Sequence, residues 1–226
     1  METPSRPGGC PCDFNREGIV LPKTAVTFKP VLPENCSRLL LHSCCAPCSG
    51  AILECLVDNG IRPAVFFSNS NIFPHEEYGL RKAELLRYAR TLGVEVIDDD
   101  YDHDAWLCGV KGLENEPERG SRCMECFRFR LRRAAQYAAA NGFDVLATTL
   151  ASSRWKSLEQ VNAAGEWACE GLPVKFWAGN WRKGGLQPRR NEIIREQEFY
   201  NQTFCGCEFS KKDFSADEPG DPLAVH

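Results

Sequence analysis

The sequence predicts an α/β protein built on a doubly wound parallel sheet of about five strands, Rossmann-like, with helices on both faces. Three observations predict it. Short apolar runs alternate with segments of helical period along most of the chain. The runs are continuous rather than alternating, as in strands covered on both faces. The chemically notable residues fall just after those runs, at the strand ends where such sheets hold ligands.

Residues 1–36 are rich in Pro and Gly and show no sustained period. They are expected to form a poorly ordered extension ahead of an α/β domain over 37–210, with a polar tail over 211–226. The first strand is expected at Arg38–Ser43, followed by a helix with Ala51, Ile52, Cys55 and Leu56 on one face and a stop at Asn59-Gly60. A second strand over Pro63–Ser68 leads through a polar loop, Asn69–Glu76, into a long helix near 76–92. Val94–Asp98 is the third strand, and the acidic stretch 99–121 reads as a loop with one short helix. Phe127, Leu131, Ala134, Ala135 and Ala138 line a helix that starts near Cys123 and ends at Asn141-Gly142. Asp144–Thr149 and Pro173–Trp177 are the remaining strands, separated by a helix near 155–170. A last helix is expected near 191–203, with Ile193, Gln197 and Tyr200 on one face.

Of 226 residues, 43% are apolar and 26% charged, which excludes a wholly disordered chain. No apolar run approaches the ~18 residues of a membrane helix. The start of the chain carries no apolar signal region, so a cytoplasmic location is expected. A net charge of -4 excludes a uniformly basic nucleic-acid binder but allows a local basic patch. The outlying number is 13 cysteines. In a reducing cytosol, thiols serve as metal ligands or redox groups more often than as staples.

The cysteines fall into three groups: Cys44, Cys45 and Cys48 after the first strand, Cys123 and Cys126 at a helix start, and Cys205-Gly206-Cys207 near the C-terminus. Cys48 and Cys123 are placed at helix N-termini, where free N–H groups favour the thiolate. A helical Cys-x-x-Cys puts two sulfurs on one side of a turn, ready to ligate one metal. Groups so far apart in sequence favour an iron–sulfur centre at the sheet's ligand end over a short zinc knuckle. Cys205 and Cys207 can close only a small, strained disulfide, which suits redox cycling better than a structural role. Cys55, Cys169, Cys36 and Cys108 read as small buried hydrophobes, and Cys10 and Cys12 as incidental.

These residues lie in motifs that resemble a known family. LLLHSCCAPCSG (39–50), NSNIFPHEEYGLR (69–81), RCMECFRFRL (122–131), GFDVLATTL (142–150), WRKGG (181–185) and YNQTFCGCEFS (200–210) together resemble the epoxyqueuosine reductases of the QueH family. The resemblance implies that 37–210 is a catalytic domain, an oxidoreductase that reduces epoxyqueuosine in tRNA to queuosine, the last step of queuosine biosynthesis, without cobalamin. It implies a 4Fe–4S cluster on Cys44, Cys45, Cys123 and Cys126, and a redox-active pair, Cys205 and Cys207. It also implies a second iron ion beside the cluster, for which Cys48 and one of Cys205 and Cys207 are candidates. The fold is similar to the alpha-hydrolase nucleotide (PP-loop) fold of tRNA-modifying ATP pyrophosphatases. The phosphate loop of those enzymes is replaced here by Cys44–Ser49, which argues against ATP use. One departure is Asn180, where the family has Asp.

Deoxygenating an epoxide takes two electrons, two protons and an electrophile for the leaving oxygen. Cys205, Cys207, Cys48 and Tyr78 are the candidate catalytic residues, with Glu77 and His75 as further proton sources. Asn69 and Asn71 either fix their loop or bind the modified base. The expected partners are the anticodon arm of tRNA carrying epoxyqueuosine and an external electron donor, with no membrane. Arg122, Arg128, Arg130, Arg132 and Arg133, and the stretch 175–195, are candidate RNA contacts, with Phe127, Phe129, Trp177 and Trp181 as candidate stacking partners. The rival reading is a non-catalytic iron–sulfur or zinc protein that senses redox state or binds RNA.

Overall fold

The structure, a computed structural model, describes residues 23–200 and 202–210. Five parallel strands stand in the order β3-β2-β1-β4-β5. They are β1 (Leu39–His42), β2 (Ala64–Phe67), β3 (Val96–Asp98), β4 (Val145–Thr148) and β5 (Lys175–Phe176). The crossover helices are α1 (Ala46–Asp58), α2 (His75–Thr91), α3 (His103–Gly109), α4 (Ser121–Ala140) and α5 (Leu158–Cys169), and α6 (Leu186–Glu196) follows β5. Short 3-10 turns at Thr149–Ser152 and Glu208–Ser210 complete the set. The doubly wound parallel sheet of the sequence reading is therefore present.

The central strands explain the apolar runs. Every residue of β1, β2 and β4 is buried. Helix α1 packs on α2 and α6, and α4 packs on α3 and α5, so each face of the sheet carries a helical layer. Helix α4 turns Phe127, Leu131, Ala134, Ala135 and Ala138 to the core. Side-chain caps start two of the helices. Asp102 accepts from Ala105 N at 3.0 Å, and Ser157 accepts from Gln160 N at 3.2 Å.

Strand order reverses between β1 and β4, whose registers pair Leu41 with Ala147 and His42 with Thr148. Beyond the carboxyl ends of these two strands lies the crevice that such sheets use for ligands. His42 ties the crevice floor together. Its Nε2–H donates to Ser68 O at 3.1 Å, and its Nδ1 accepts from Thr148 Oγ1 at 2.8 Å. Burial, aided by the charge of Arg130, pushes the His42 pKa down to about 3, so the ring is neutral.

Two expectations need correction. The last helix runs over 186–196, not 191–203. Pro188 is tolerated in its first turn, and Glu198 at φ 50 turns the chain out of the helix before Tyr200. Cys108, read as buried, is exposed, and Cys36 is half-buried. Within the expected extension, residues 23–36 carry no helix or strand but are fastened down. Thr27 N and Phe28 N both donate to Gly184 O, at 2.9 and 3.1 Å, and the Phe28 ring meets Trp181. Residues 1–22, with Cys10 and Cys12, Asn201 and the 211–226 tail lie outside the described residues.

Candidate metal centre

The chain leaves strand geometry immediately after β1, and this lets adjacent cysteines converge. Cys44 is drawn toward the turn after β4, where its N–H donates to Thr149 Oγ1 at 3.3 Å. Cys45 is the extended N-cap of α1, and Cys48 sits one turn later. Ser49 Oγ locks the corner by donating to Cys45 O at 2.8 Å, and it accepts from Thr149 Oγ1 at 3.2 Å. The sulfurs of Cys44 and Cys45 end 3.8 Å apart, and those of Cys44, Cys45 and Cys48 all lie within 4.8 Å of one another. Among the described residues this is the one group of three metal-ligating side chains so close.

Cys123 and Cys126, on the first turns of α4, line the same cavity, as do Cys205 and Cys207. The cavity encloses about 60 Å³ and is walled by these seven cysteines together with Arg81, Arg119, Arg122, Arg130 and Lys156. Glu118 is the one carboxylate in the wall. Arg130 is deeply buried, and its bonds go to Ser68 O and Asn69 Oδ1 rather than to an acid. Arg122 is likewise buried and donates to the carbonyls of Glu114 and Glu116. Buried cations without carboxylates favour anionic neighbours, and the groups of the cavity that can supply them are thiols.

The thiols divide accordingly. Hydrogen bonds from Cys44 and Cys45, with help from the charges of Arg190 and Lys156, hold Cys48 well below the ordinary thiol range. Its hydrogen bonds to Cys44 and Cys48 hold Cys45 well above it. In the C-terminal pair, the Cys207 hydrogen bond and the Lys156 cation lower Cys205, while Cys205 raises Cys207. Burial raises Cys123 and Cys126, partly offset for Cys123 by the Arg119 N–H, which donates to its sulfur at 3.3 Å. All eleven described cysteines are free thiols. Soft sulfur donors in a cationic, partly closed cavity fit a thiophilic metal ion or cluster.

The other candidate residues part company. Tyr78 does not line the cavity. Its hydroxyl donates to Asp98 Oδ1 at 2.9 Å, and burial together with that bond pushes its pKa well above the usual range. Glu77 pairs with Arg81, and His75 is exposed at the start of α2. Asn69 is scaffold: it donates to Ser43 O at 2.9 Å and accepts from Arg130. Asn71 reaches the cavity wall. Asn180 caps a turn by accepting from Arg182 N at 3.2 Å and is not part of the cavity wall.

The basic stretch of α4 is largely turned to structural use. Arg122 and Arg130 face the cavity, Arg133 pairs with Asp99, and Arg132 donates to Ala168 O and Glu170 O. Phe127 and Trp181 are core. Sequence reasoning missed Lys156, Gln202 and Trp155, the last of which is 37% exposed where it lines the cavity. No helix among the described residues is long and apolar enough to cross a membrane.

Fold and site together define a doubly wound α/β protein with a cluster of thiols able to hold a metal at its switch point. The chain belongs to the family described as epoxyqueuosine reductase QueH, whose model matches residues 39–213. Among similar proteins, the epoxyqueuosine reductase QueH of Acinetobacter baylyi is 49% identical over 187 residues, which cover 82% of this chain and 86% of the relative. Those of Histophilus somni and Haemophilus influenzae are 48% and 46% identical over 183 residues, in each case 80% of this chain and 75% of the relative.

Proposed function

We propose that this chain reduces epoxyqueuosine in tRNA to queuosine, as an oxidoreductase of its family. The observation that carries the reading is the cavity where three separate cysteine groups meet beside buried cations at the strand switch point. Cys44, Cys45, Cys123 and Cys126 would hold a 4Fe–4S cluster. Cys48 and the C-terminal pair remain for a second iron or for thiol redox chemistry. Bound iron supplies single-electron transfer and a Lewis acid for the epoxide oxygen.

The reaction takes up two electrons and two protons, and releases an alkene and water. Oxidation of the Cys205–Cys207 dithiol to a disulfide yields two electrons and two protons. An external reductant then restores the dithiol. Lys156, beside Cys44, Cys48 and Cys205 in charge contact, keeps its proton and stabilises negative charge in the cavity. The RNA would approach over the mouth, where Arg119, Arg154 and Trp155 are exposed. The cytoplasm, where tRNA is modified, is the matching location.

Anaerobic purification followed by iron, sulfide and zinc analysis, with turnover of tRNA carrying epoxyqueuosine, tests the reading. Four irons and four sulfides with alkene formation are expected, and Cys45→Ala or Cys123→Ala should lose the chromophore. The tight triad of Cys44, Cys45 and Cys48 also suits one soft ion. Stoichiometric zinc without turnover would therefore favour the non-catalytic reading.

A further inference from the structure

Among the described residues, five side chains of the cavity wall, Asn71, Trp106, Arg122, Gln160 and Gln202, have a buried polar atom that the protein leaves without a partner, and Asn71 and Gln202 are the deeply buried amides among them. Asn71 is 2% exposed, and its Oδ1 accepts no hydrogen bond. Gln202 is also 2% exposed, and its Nε2 donates to nothing. Both line the cavity that the cysteines build. Buried amides are normally satisfied, because an unmade bond forfeits their hydration without return.

Neither side chain can easily relax onto a protein partner, because its surroundings are committed. The loop bearing Asn71 is tied by Ile72 N to Asn69 O at 3.0 Å, Tyr101 OH to Ile72 O at 2.7 Å and Phe73 N to Gly206 O at 2.9 Å. Arg81 holds the segment after Gln202 by donating to Phe204 O at 3.0 Å. Asn69, two residues away in the same loop, shows the contrast, since both ends of its amide are engaged.

We propose that Asn71 and Gln202 are specificity-determining residues that hydrogen-bond the epoxide-bearing ring of the modified base. This rests on the reading that epoxyqueuosine is the substrate. An epoxide oxygen has lone pairs and no proton, so it needs a donor, which the Gln202 amide N–H supplies. When the C–O bond opens and the oxygen takes a proton, the new hydroxyl needs an acceptor, which Asn71 Oδ1 supplies. The thiols and fixed cations of the wall attract charge but do not distinguish a neutral ether oxygen. The two amides provide that discrimination without adding charge beside the thiolates.

The test uses the metal-loaded, full-length protein and two anticodon stem-loops, one carrying epoxyqueuosine and the other guanine at the same position. Wild type is expected to prefer the first. Gln202→Ala and the isosteric Gln202→Glu should each reduce that preference about tenfold, and Asn71→Ala should instead slow turnover of the bound epoxide stem-loop about tenfold. They should leave affinity for the guanine stem-loop and iron content unchanged. Gln202 variants that keep the preference, or an Asn71 variant that keeps the wild-type turnover rate, overturn this inference alone. Loss of the preference together with iron and guanine stem-loop affinity marks a structural role and also overturns it. Wild-type protein that neither turns over nor prefers the epoxide overturns the substrate reading and this inference with it.

Discussion

Gly206 is seated on Ile72 so closely that a Cβ added at Gly206 would lie 2.8 Å from Ile72 Cγ1. Its φ of +100 is also one that side chains disfavour, and its carbonyl accepts from Phe73 N at 2.9 Å. The segment carrying Cys205 and Cys207 is thereby registered against the loop after β2, with the two thiols turned into the cavity.

Gly206→Ala should therefore unseat this segment rather than merely strain it. The expected cost is about 1–3 kcal/mol of local stability. Cys205 and Cys207 should become readily alkylated, while iron on the proposed ligands Cys44, Cys45, Cys123 and Cys126 should be retained. Mass spectrometry after a short thiol-reagent pulse, set beside iron analysis, checks this.

Arg189 is the hub of an ion cluster outside the cysteine-lined cavity. It is 2% exposed and pairs with Glu54, Glu192 and Glu196 at 2.6, 3.0 and 2.8 Å. Glu192 is held down to about 2, first by its hydrogen bonds from Thr24 and then by Arg189, so the cluster also anchors the segment ahead of β1. Arg189→Met leaves three carboxylates facing one another. The expected loss is about 2–4 kcal/mol, below the ~3–5 of a wholly buried pair because the glutamates are partly solvated. Urea unfolding measures it, and limited proteolysis near Thr24 should accelerate in parallel.

Arg132 and Arg154 separate structural charge from surface charge. Arg132 donates to Ala168 O and Glu170 O, which ties α4 to the end of α5. Arg132→Ala should cost about 1.5–3 kcal/mol, since hydrogen bonds from charged donors are the stronger kind. Arg154 is exposed, with its guanidinium over the Trp155 ring at the cavity mouth. Arg154→Gln should leave stability unchanged and reduce the salt slope of tRNA binding by about one phosphate contact. Binding titrations at several salt concentrations, beside urea unfolding of both variants, distinguish the two.

Cys169 gives the alkaline limit a named contributor. Burial on α5 pushes its thiol up to about 11 from an ordinary 9.0, and Arg132 offsets this only in part. The folded chain then keeps a proton that the unfolded chain gives up, so this contribution to stability is whole below about pH 9 and declines from there to about pH 11. Unfolding midpoints measured across that interval should fall less steeply for Cys169→Ala than for wild type.

The topology was legible because buried parallel strands write continuous apolar runs, and Leu39–Leu41, Val65–Phe67 and Val145–Ala147 do so. The cysteine groups were legible because spacing places thiols at helix starts. Which sulfurs meet was not, since that depends on a corner in the chain. Ser49 and Thr149 fix Cys44 and Cys45 against Cys48, and no local pattern announces that contact. The arginines of α4 misled because a charge run records composition, not direction; Arg122 and Arg130 point inward. Lys156 and Gln202 are single residues in loops, without a period to betray them. Tyr78 stands in a suggestive motif, but helix α2 turns its hydroxyl toward Asp98.

The cavity wall is drawn from segments spread over most of the chain, from Cys44 to Ser210. During synthesis a ribosome has released the first thiols long before the last. The early cysteines alone offer a three-sulfur nest that any thiophilic ion in the cell can enter. Correct metallation therefore becomes a matter of timing. The cavity closes over that nest only once Cys205 and Cys207 have emerged and docked, and a chain cut short of them would leave those sulfurs without this part of their wall.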